Sequence, residues 1–244
     1  RDARTEVVRT IAGDLLVPAT AEIILEGYVA PHERRMEGPF GDHYGHYSEA
    51  AEFPVFHVQL VTRRRDAIYP ATIVGKPPQE DKYLGIAVGE MVGPLIRLVN
   101  PNVVDLYAYD AASFHNLLGV AVKERHPKEV LKTALALLGT GQLALTKVAV
   151  MVREDVPVRS FSALLRELWY RFEPADRMLL LPIGALDTLD YTSYVMHVGS
   201  KLVLDATGDP VTDRPPPASI ADPAGADRRV VGHRLLEGGF LVVT

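Results

Sequence analysis

The sequence contains no cysteine, which excludes disulfide bonds, thiolate metal ligands and a cysteine nucleophile. This absence fits a cytoplasmic protein, and a cytoplasmic location is our expectation. No apolar run approaches the roughly 18 residues that a membrane-spanning helix requires, and no charged-then-apolar signal segment is present. We therefore expect no transmembrane helix.

The sequence also lacks an excess of positive charge. Its 26 Lys and Arg residues against 31 Asp and Glu residues give a formal net charge of -5, which offers no broad attraction to nucleic-acid phosphates or anionic lipid. Neither kind of partner is indicated. The one basic run, Arg63–Arg65, is interpreted as a solvated strand end or, alternatively, as a contact for a phosphate or a partner.

The length of 244 residues and the 48% hydrophobic content allow one large domain or two smaller ones. The chain begins with Arg1 rather than Met, and a strand-like apolar stretch follows within the next two dozen residues. We therefore expect the chain to be part of a longer protein.

The first hundred residues carry short strand signals separated by Gly and Pro. Strands are predicted at 22–29, 53–62 and 67–74, and apolar residues in the second of them alternate with the period of two that is typical of an antiparallel sheet or barrel. From Leu84 to Val99 apolar residues recur at helical spacing, which predicts a helix with one buried face.

After this helix, strand signals alternate with helix signals. Strands are predicted at 117–122, 147–152, 178–181 and 201–204, and helices at 127–138 and 160–171. This alternation predicts a three-layer α/β domain with a largely parallel sheet. We place the domain boundary near residue 110, with the helix at 84–99 as a bridge, which gives domains at 1–110 and 111–244. The tail at 213–228, rich in proline, is predicted to be an irregular surface segment.

A loop between the first two predicted strands concentrates groups that can do chemistry. Glu37, Asp42, His43 and His46 lie within ten residues, among glycines that let the backbone approach a ligand closely. Carboxylates and imidazoles can bind zinc, manganese or iron. Two neighbouring carboxyl groups can instead serve acid–base catalysis, because one of them retains its proton near neutral pH. A polar turn without function is the third interpretation.

The same loop, from Glu37 to Tyr47, is similar to the most characteristic loop of the UbiD-type decarboxylases. Further stretches resemble that family in the same order, so that the resemblance covers about residues 14–207. They are 16–19, 21–27, 53–56, 66–69, 72–78, 105–107, 114–115, 199–201 and 204–207.

The resemblance implies a fold and a reaction. The first part would belong to a split β-barrel of the flavin-reductase-like kind, and the second would be an α/β oligomerisation domain that assembles homo-oligomers, from dimers to hexamers. The family carries out non-oxidative, reversible decarboxylation of aromatic or α,β-unsaturated carboxylic acids with prenylated FMN, which a flavin prenyltransferase supplies. A divalent metal, manganese, and potassium are also implied.

The resemblance also implies a catalytic acid pair. Asp42 would protonate the substrate carbon after carbon dioxide has left, and Glu37 would be its electrostatic partner. Some relatives carry a glutamate where this chain has Asp42, so the substrate class stays open. The arginine partner of Glu37 and the metal ligands of the family would lie upstream of residue 1, so we expect the isolated chain to be inactive.

Other positions match family contacts with the cofactor or substrate. Lys201 would bind the flavin phosphate, with a surface lysine as the alternative. His43, Asp81 and Leu84 would line the substrate pocket, although a structural histidine, a turn acid and a packing leucine are the simpler interpretations. His115 is interpreted as structural.

Two other functions remain open on the sequence. The chain could be a non-catalytic oligomerisation scaffold, which the presence of both Glu37 and Asp42 argues against. It could also be an ordinary FMN-binding reductase-like barrel that exchanges hydride, for which a proton-donating acid pair has little use.

Overall fold

The computed structural model describes residues 4–193, 195–213, 215–225, 227, 229–236 and 241–243. They form two compact units that divide between Gly75 and Lys76. No helix within the described ranges is long and apolar enough to cross a membrane.

In chain order the elements are β1 (Val7–Arg9), β2 (Leu16–Pro18), β3 (Ile23–Glu37), β4 (Ala51–Arg63), α1 (Glu80–Val99), β5 (Val103–Ala108), β6 (Leu117–Val122), α2 (Glu129–Leu138), β7 (Val148–Arg153), α3 (Phe161–Arg171), α4 (Pro174–Arg177), β8 (Met178–Ala185), β9 (Val198–Ala206), β10 (His233–Leu235) and β11 (Leu241–Val243).

The first unit is built on one long antiparallel pair, β3 with β4. Its register runs from the pair Ile23 and Arg63 to the pair Glu37 and Ala51, so the candidate catalytic loop begins where the ladder ends. Strands β1 and β2 form a second antiparallel pair. The carboxylate of Glu26, a buried residue of β3, accepts hydrogen bonds from two amides in the turn between them.

Two of the three strands predicted in this unit are confirmed, and both are longer than expected. The third prediction, a strand at 67–74, is wrong, because these residues have no regular structure. Pro70 within the segment has no amide N–H to give to a sheet, and the amide of Ile68 instead donates to the carboxylate of Glu22 at 3.1 Å. The described strands of this unit form two separate pairs and no closed barrel, so the split barrel stays a prediction.

The second unit contains a five-stranded mixed sheet in the order β5-β6-β7-β9-β8. Strands β6, β7 and β9 are parallel, and the outer strands β5 and β8 are antiparallel to their neighbours. The central strands β6 and β7 are almost continuously apolar and buried, as expected of strands that are covered on both faces. The predicted α/β class is confirmed, but the sheet is mixed rather than largely parallel, because two of its four strand pairings are antiparallel.

Helices cover both faces of this sheet. One face packs against α2 and α1, through Val130, Ala134, Leu137 and Ile96. The other face packs against α3, which contributes Leu164 and Leu168. The side chain of Ser160 accepts a hydrogen bond from the amide of Ala163 and caps the start of α3. The predicted three-layer arrangement is therefore present.

Helix α1 differs from its prediction in two respects. It lies in the second unit, because the chain divides at 75/76 rather than near residue 110. It also lacks the predicted buried face: Gly93 and Ile96 are its buried residues, whereas Leu84, Met91 and Leu95 are 56%, 67% and 58% exposed. Periodicity identifies an apolar face but does not say what covers it, and within its own unit the helix contacts mainly β5.

The tail at 213–228 is irregular where it is described, apart from a short 3₁₀ turn at Pro223–Gly225, as predicted. Arg214, Ala226 and Arg228, which fall within this prediction, lie outside the described residues. Beyond it, β10 and β11 pair antiparallel.

Candidate active site

The loop between β3 and β4 is a closed and shaped turn. The amide of Ser48 donates to the carbonyl oxygen of Phe40 at 2.9 Å, and the amide of Asp42 donates to that of His46 at 3.1 Å. The Ser48 hydroxyl, on a buried residue, accepts from the amide of Phe40 at 3.2 Å. Gly45 has a φ of 84°, which only glycine adopts readily, and its amide donates to the carbonyl oxygen of Asp42 at 2.9 Å.

This turn holds the carboxyl group of Asp42 in a nearly buried position. Its side chain is 12% exposed and that of the neighbouring His43 is 15% exposed. Oδ1 of Asp42 lies 2.6 Å from the backbone nitrogen of His43 and 2.6 Å from the imidazole Nδ1. The ring of Tyr44 lies at a tilt of 52° to the imidazole, with 4.8 Å between the ring centroids. Sequence reasoning selected Asp42 and His43 separately, and the structure joins them.

Glu37 is at the last position of β3 and its residue is exposed. In the described part of the chain, no hydrogen bond or ion pair joins its carboxylate to that of Asp42. The partner that the structure gives Asp42 is therefore His43, and the electrostatic role of Glu37 stays a prediction.

Lys201 is not the surface residue of the alternative interpretation, because it lies within β9 and is only 5% exposed. Its Nζ donates to the carbonyl oxygen of Ala144 at 2.6 Å and to that of Thr146 at 2.9 Å. Burial lowers the pKa of this ammonium group below its ordinary value. Lys201 thus fixes the segment before β7, and two of its three N–H donors serve that purpose.

Asp81 and Leu84 both lie in the first turns of α1. Asp81 is half-buried, and a carboxylate at this position interacts favourably with the positive end of the helix dipole. Leu84 is 56% exposed. The position of Asp81 agrees with its interpretation as a turn acid, whereas the exposure of Leu84 does not fit a packing leucine. The predicted contact of both residues with substrate stays a prediction.

Sequence reasoning missed two paired carboxylates in the second unit, on the segment between β8 and β9. Asp187 Oδ2 lies 2.5 Å from Nδ1 of His115, and Asp190, whose side chain is 1% exposed, accepts from Nζ of Lys147 at 2.6 Å. Burial alone would raise the pKa of Asp190, but hydrogen bonds from Lys147 and Thr192 give a net lowered pKa. The partners are 72 and 43 residues apart, so no local pattern indicates the pairs.

Comparison with known proteins gives the family. The family model for the 3-octaprenyl-4-hydroxybenzoate carboxy-lyase Rift-related domain matches residues 1–77, and the model for the C-terminal domain of the same carboxy-lyases matches residues 82–206. The chain belongs to the UbiD family. Its two matched regions meet close to the division between the two compact units.

Two similar proteins are considerably longer than this chain. An uncharacterized protein of Archaeoglobus fulgidus is 44% identical over 207 residues, which are 85% of this chain and 43% of the relative. A 4-hydroxybenzoate decarboxylase subunit of Chlamydia pneumoniae is 45% identical over 195 residues, which are 80% of this chain and 33% of the relative. The chain thus spans less than half the length of these relatives.

Two solved structures share the fold, and one of them is described as a UbiD-class enzyme. HmfF from Pelotomaculum thermopropionicum in complex with FMN has a TM-score of 0.70 at 25% identity, over 92% of this chain and 49% of that chain. The vanillic acid decarboxylase of Sedimentibacter hydroxybenzoicus in its closed form has a TM-score of 0.74 at 24% identity, over 91% of this chain and 47% of that chain.

Proposed function

We propose that the protein to which this chain belongs removes the carboxyl group of an aromatic or α,β-unsaturated carboxylic acid, without oxidation and reversibly, with prenylated FMN as cofactor. The observation that carries the proposal is the nearly buried carboxyl group of Asp42, presented by a loop whose backbone is fixed on both sides. The relatives support it, because one is named a 4-hydroxybenzoate decarboxylase subunit and a solved neighbour is a UbiD-class enzyme with FMN.

Asp42 is the proton donor in this proposal. Loss of carbon dioxide leaves electron density on the substrate carbon, and that carbon needs a proton before the product can leave. A carboxylic acid in a site with little water can deliver it, since its proton is shielded from exchange and from competing acceptors. In the reverse direction the Asp42 carboxylate removes the same proton. Glu37 is the electrostatic partner of the pair, and Asp81, Leu84 and His43 line the substrate pocket.

The residues of this chain fit part of a flavin phosphate site. When it is bound, prenylated FMN supplies an electron sink for the carbon that loses carbon dioxide. Lys201 has three ammonium donors, of which Ala144 and Thr146 accept two in the described structure, and the third is the donor that we assign to the phosphate. Manganese and potassium are expected from the family with ligands outside this chain, and no step performed by these residues depends on them.

Strands β1–β4 are proposed to be part of a split, flavin-reductase-like barrel, and the second unit to mediate homo-oligomers between dimers and hexamers. A flavin prenyltransferase is the proposed supplier of the cofactor. The cytoplasmic location predicted from the absence of cysteine stays a prediction.

The test uses the full-length protein, produced with and without a flavin prenyltransferase. Carbon dioxide release is measured from a panel of hydroxybenzoic, other aromatic and cinnamic acids. Release that depends on both the substrate and the prenyltransferase supports the proposal and names the substrate class. Absence of release across the panel, together with bleaching of the bound flavin by a nicotinamide cofactor, would instead identify an FMN reductase.

A further inference from the structure

We propose that β8, an outer strand of the five-stranded sheet, pairs antiparallel with β8 of a second copy of this chain, with Leu180 on the two-fold axis. The proposal rests on the homo-oligomer of the proposed function and deepens it, because it names the surface and the register of one subunit contact. Two features of β8 carry it. They are the backbone groups that the strand turns outward and the uncharged, exposed side chains beside them.

The outer edge of β8 has hydrogen-bonding groups to offer. Among the described residues, β9 is the strand that pairs with β8, and no loop forms a backbone hydrogen bond with it. The amide of Leu202 donates to the carbonyl oxygen of Lys147 at 2.8 Å, so Leu202 turns toward β7. Because this direction alternates along a strand, Val203 turns toward β8 and bonds with the opposite residue, Leu179. Leu180 therefore turns its N–H and C=O groups away from the sheet.

The opposite edge of the sheet is protected, whereas the edge at β8 is not. Strand β5 contains Asp105, whose carboxylate lies 3.8 Å from Nε of Arg159. Its register with β6 is interrupted between Val103 and Asp105, and α1 packs against it. A charge, an irregularity and a covering helix each prevent pairing between sheet edges. Strand β8 contains no charged residue, and the preceding Arg177 turns to Asp205 of β9, at 3.4 Å.

The side chains of β8 suit an identical strand. Leu179 and Leu181 pack against the core of the second unit. Met178 and Leu180 are 48% and 55% exposed. In a two-fold antiparallel pair centred on Leu180, the two Leu180 residues exchange two backbone hydrogen bonds, and Met178 lies opposite Pro182. All the side chains that meet across this pair are apolar, so a second copy encounters no charge repulsion.

The pairing closes on itself and is short. Two identical strands that pair across a two-fold axis use the same edge in both subunits, so the contact ends as a dimer and does not extend into a fibre. Pro182 has no N–H to donate, and the register of β8 with β9 is irregular between Leu181 and Gly184. The contact is therefore confined to the first half of the strand, and symmetry supplies a partner strand of matching register.

The experiment uses the full-length protein and the absence of cysteine from this chain. Leu180→Cys places two thiols across the two-fold axis at a Cα separation of about 5.5 Å, which lies within the range of a disulfide bond. Ile183→Cys is the matched control. Ile183 is more exposed, at 78%, but its two copies would lie about 20 Å apart across the axis. Both proteins are treated with oxidised glutathione, and the linked peptides are identified by mass spectrometry.

We expect a peptide that links position 180 of one subunit to position 180 of another, and no equivalent link at position 183. Absence of the link at 180, or equal linking at 180 and 183, would overturn the proposal.

A second substitution tests the contact without a cross-link. Leu180→Lys places two ammonium groups on the axis and removes two apolar side chains from the contact, so the dissociation constant of the pairing should rise at least about tenfold. Light scattering on dilution should then show half the mass of the parent assembly. Leu135→Lys, at a 44% exposed position of α2, is the control and should leave the mass unchanged.

Thermal unfolding establishes that both lysine variants are folded, and the cross-linking result decides if Leu180→Lys is not. A folded Leu180→Lys variant with the mass of the parent, or a monomeric parent, would overturn the proposal. Neither mass nor cross-linking depends on carbon dioxide release, so failure of the proposed reaction and failure of this contact are detected separately.

Discussion

Replacing the buried Lys201 by Met tests what holds the segment before β7. The substitution leaves the carbonyl oxygens of Ala144 and Thr146 without the donors that now lie 2.6 and 2.9 Å away. Each buried acceptor left unpaired costs about 1–3 kcal/mol. Because burial already disfavours the ammonium, removing the charge recovers part of this cost. We expect the free energy of unfolding to fall by about 2–4 kcal/mol.

The assay is urea unfolding of the flavin-free protein, followed by circular dichroism. The control is Lys132→Met, which makes the same exchange at an exposed position of α2 and should change stability by no more than about 0.5 kcal/mol. The difference between the parent and Lys201→Met should grow at alkaline pH. The pKa of Lys201 in the folded protein lies below its ordinary value of 10.5, so the unfolded protein holds the Lys201 proton more tightly than the folded protein does. The contribution of Lys201 to stability therefore rises with pH and is complete only above 10.5.

Equal stability of Lys201→Met and Lys132→Met would refute this reasoning. It would mean that the two carbonyl groups find other partners and that the Lys201 ammonium is not needed for the fold. All of its donors would then be available to a phosphate.

Two further substitutions test the second unit. Asp190→Asn should lower the free energy of unfolding by about 2–4 kcal/mol at neutral pH, because it leaves the Lys147 ammonium poorly paired. The pKa of Asp190 is lowered from 3.8, so the loss of stability relative to the parent should shrink as the pH falls below that value. A loss of stability that does not depend on pH would contradict the pairing. Gly85→Ala should destabilise the protein by about 1–3 kcal/mol in thermal unfolding, since the new Cβ would lie 2.2 Å from the Phe114 ring. The control Gly89→Ala places a Cβ with no atom within 4 Å and should stabilise the protein by up to about 1 kcal/mol. Equal effects of the two substitutions would show that the Phe114 ring does not pack against Gly85.

The elements that sequence predicted well are those with a strong local pattern. Strand β6 lies where its continuous apolar run indicates, and Ser160 marks the start of α3 as an N-cap should. The strand prediction at 67–74 was wrong because the apolar residues of this segment have the composition of a strand but no pairing partner in the described structure. Composition describes what a segment can do, and pairing depends on residues that are distant in the sequence.

In the candidate site, too, sequence indicates the features with a local pattern and misses those that depend on distant residues. The loop of Asp42 and His43 was recognisable from its spacing and its glycines, and the family resemblance supplied the roles. The hydrogen bonds to Oδ1 depend on the turn that Gly45 closes, and the burial of Lys201 depends on the neighbours of β9. Neither the exposure of Glu37 nor the pairing of Asp190 with Lys147 leaves a local signal in the sequence.

The most direct test of the central claim is carbon dioxide release by the full-length, flavin-loaded enzyme and its Asp42→Asn variant on the substrate that the panel identifies. The asparagine side chain has nearly the same size and can accept the same hydrogen bonds, but it has no acidic proton to transfer. We predict a loss of at least about hundredfold in turnover with the flavin still bound. Equal turnover by the parent and the variant would contradict the assignment of Asp42 as the proton donor.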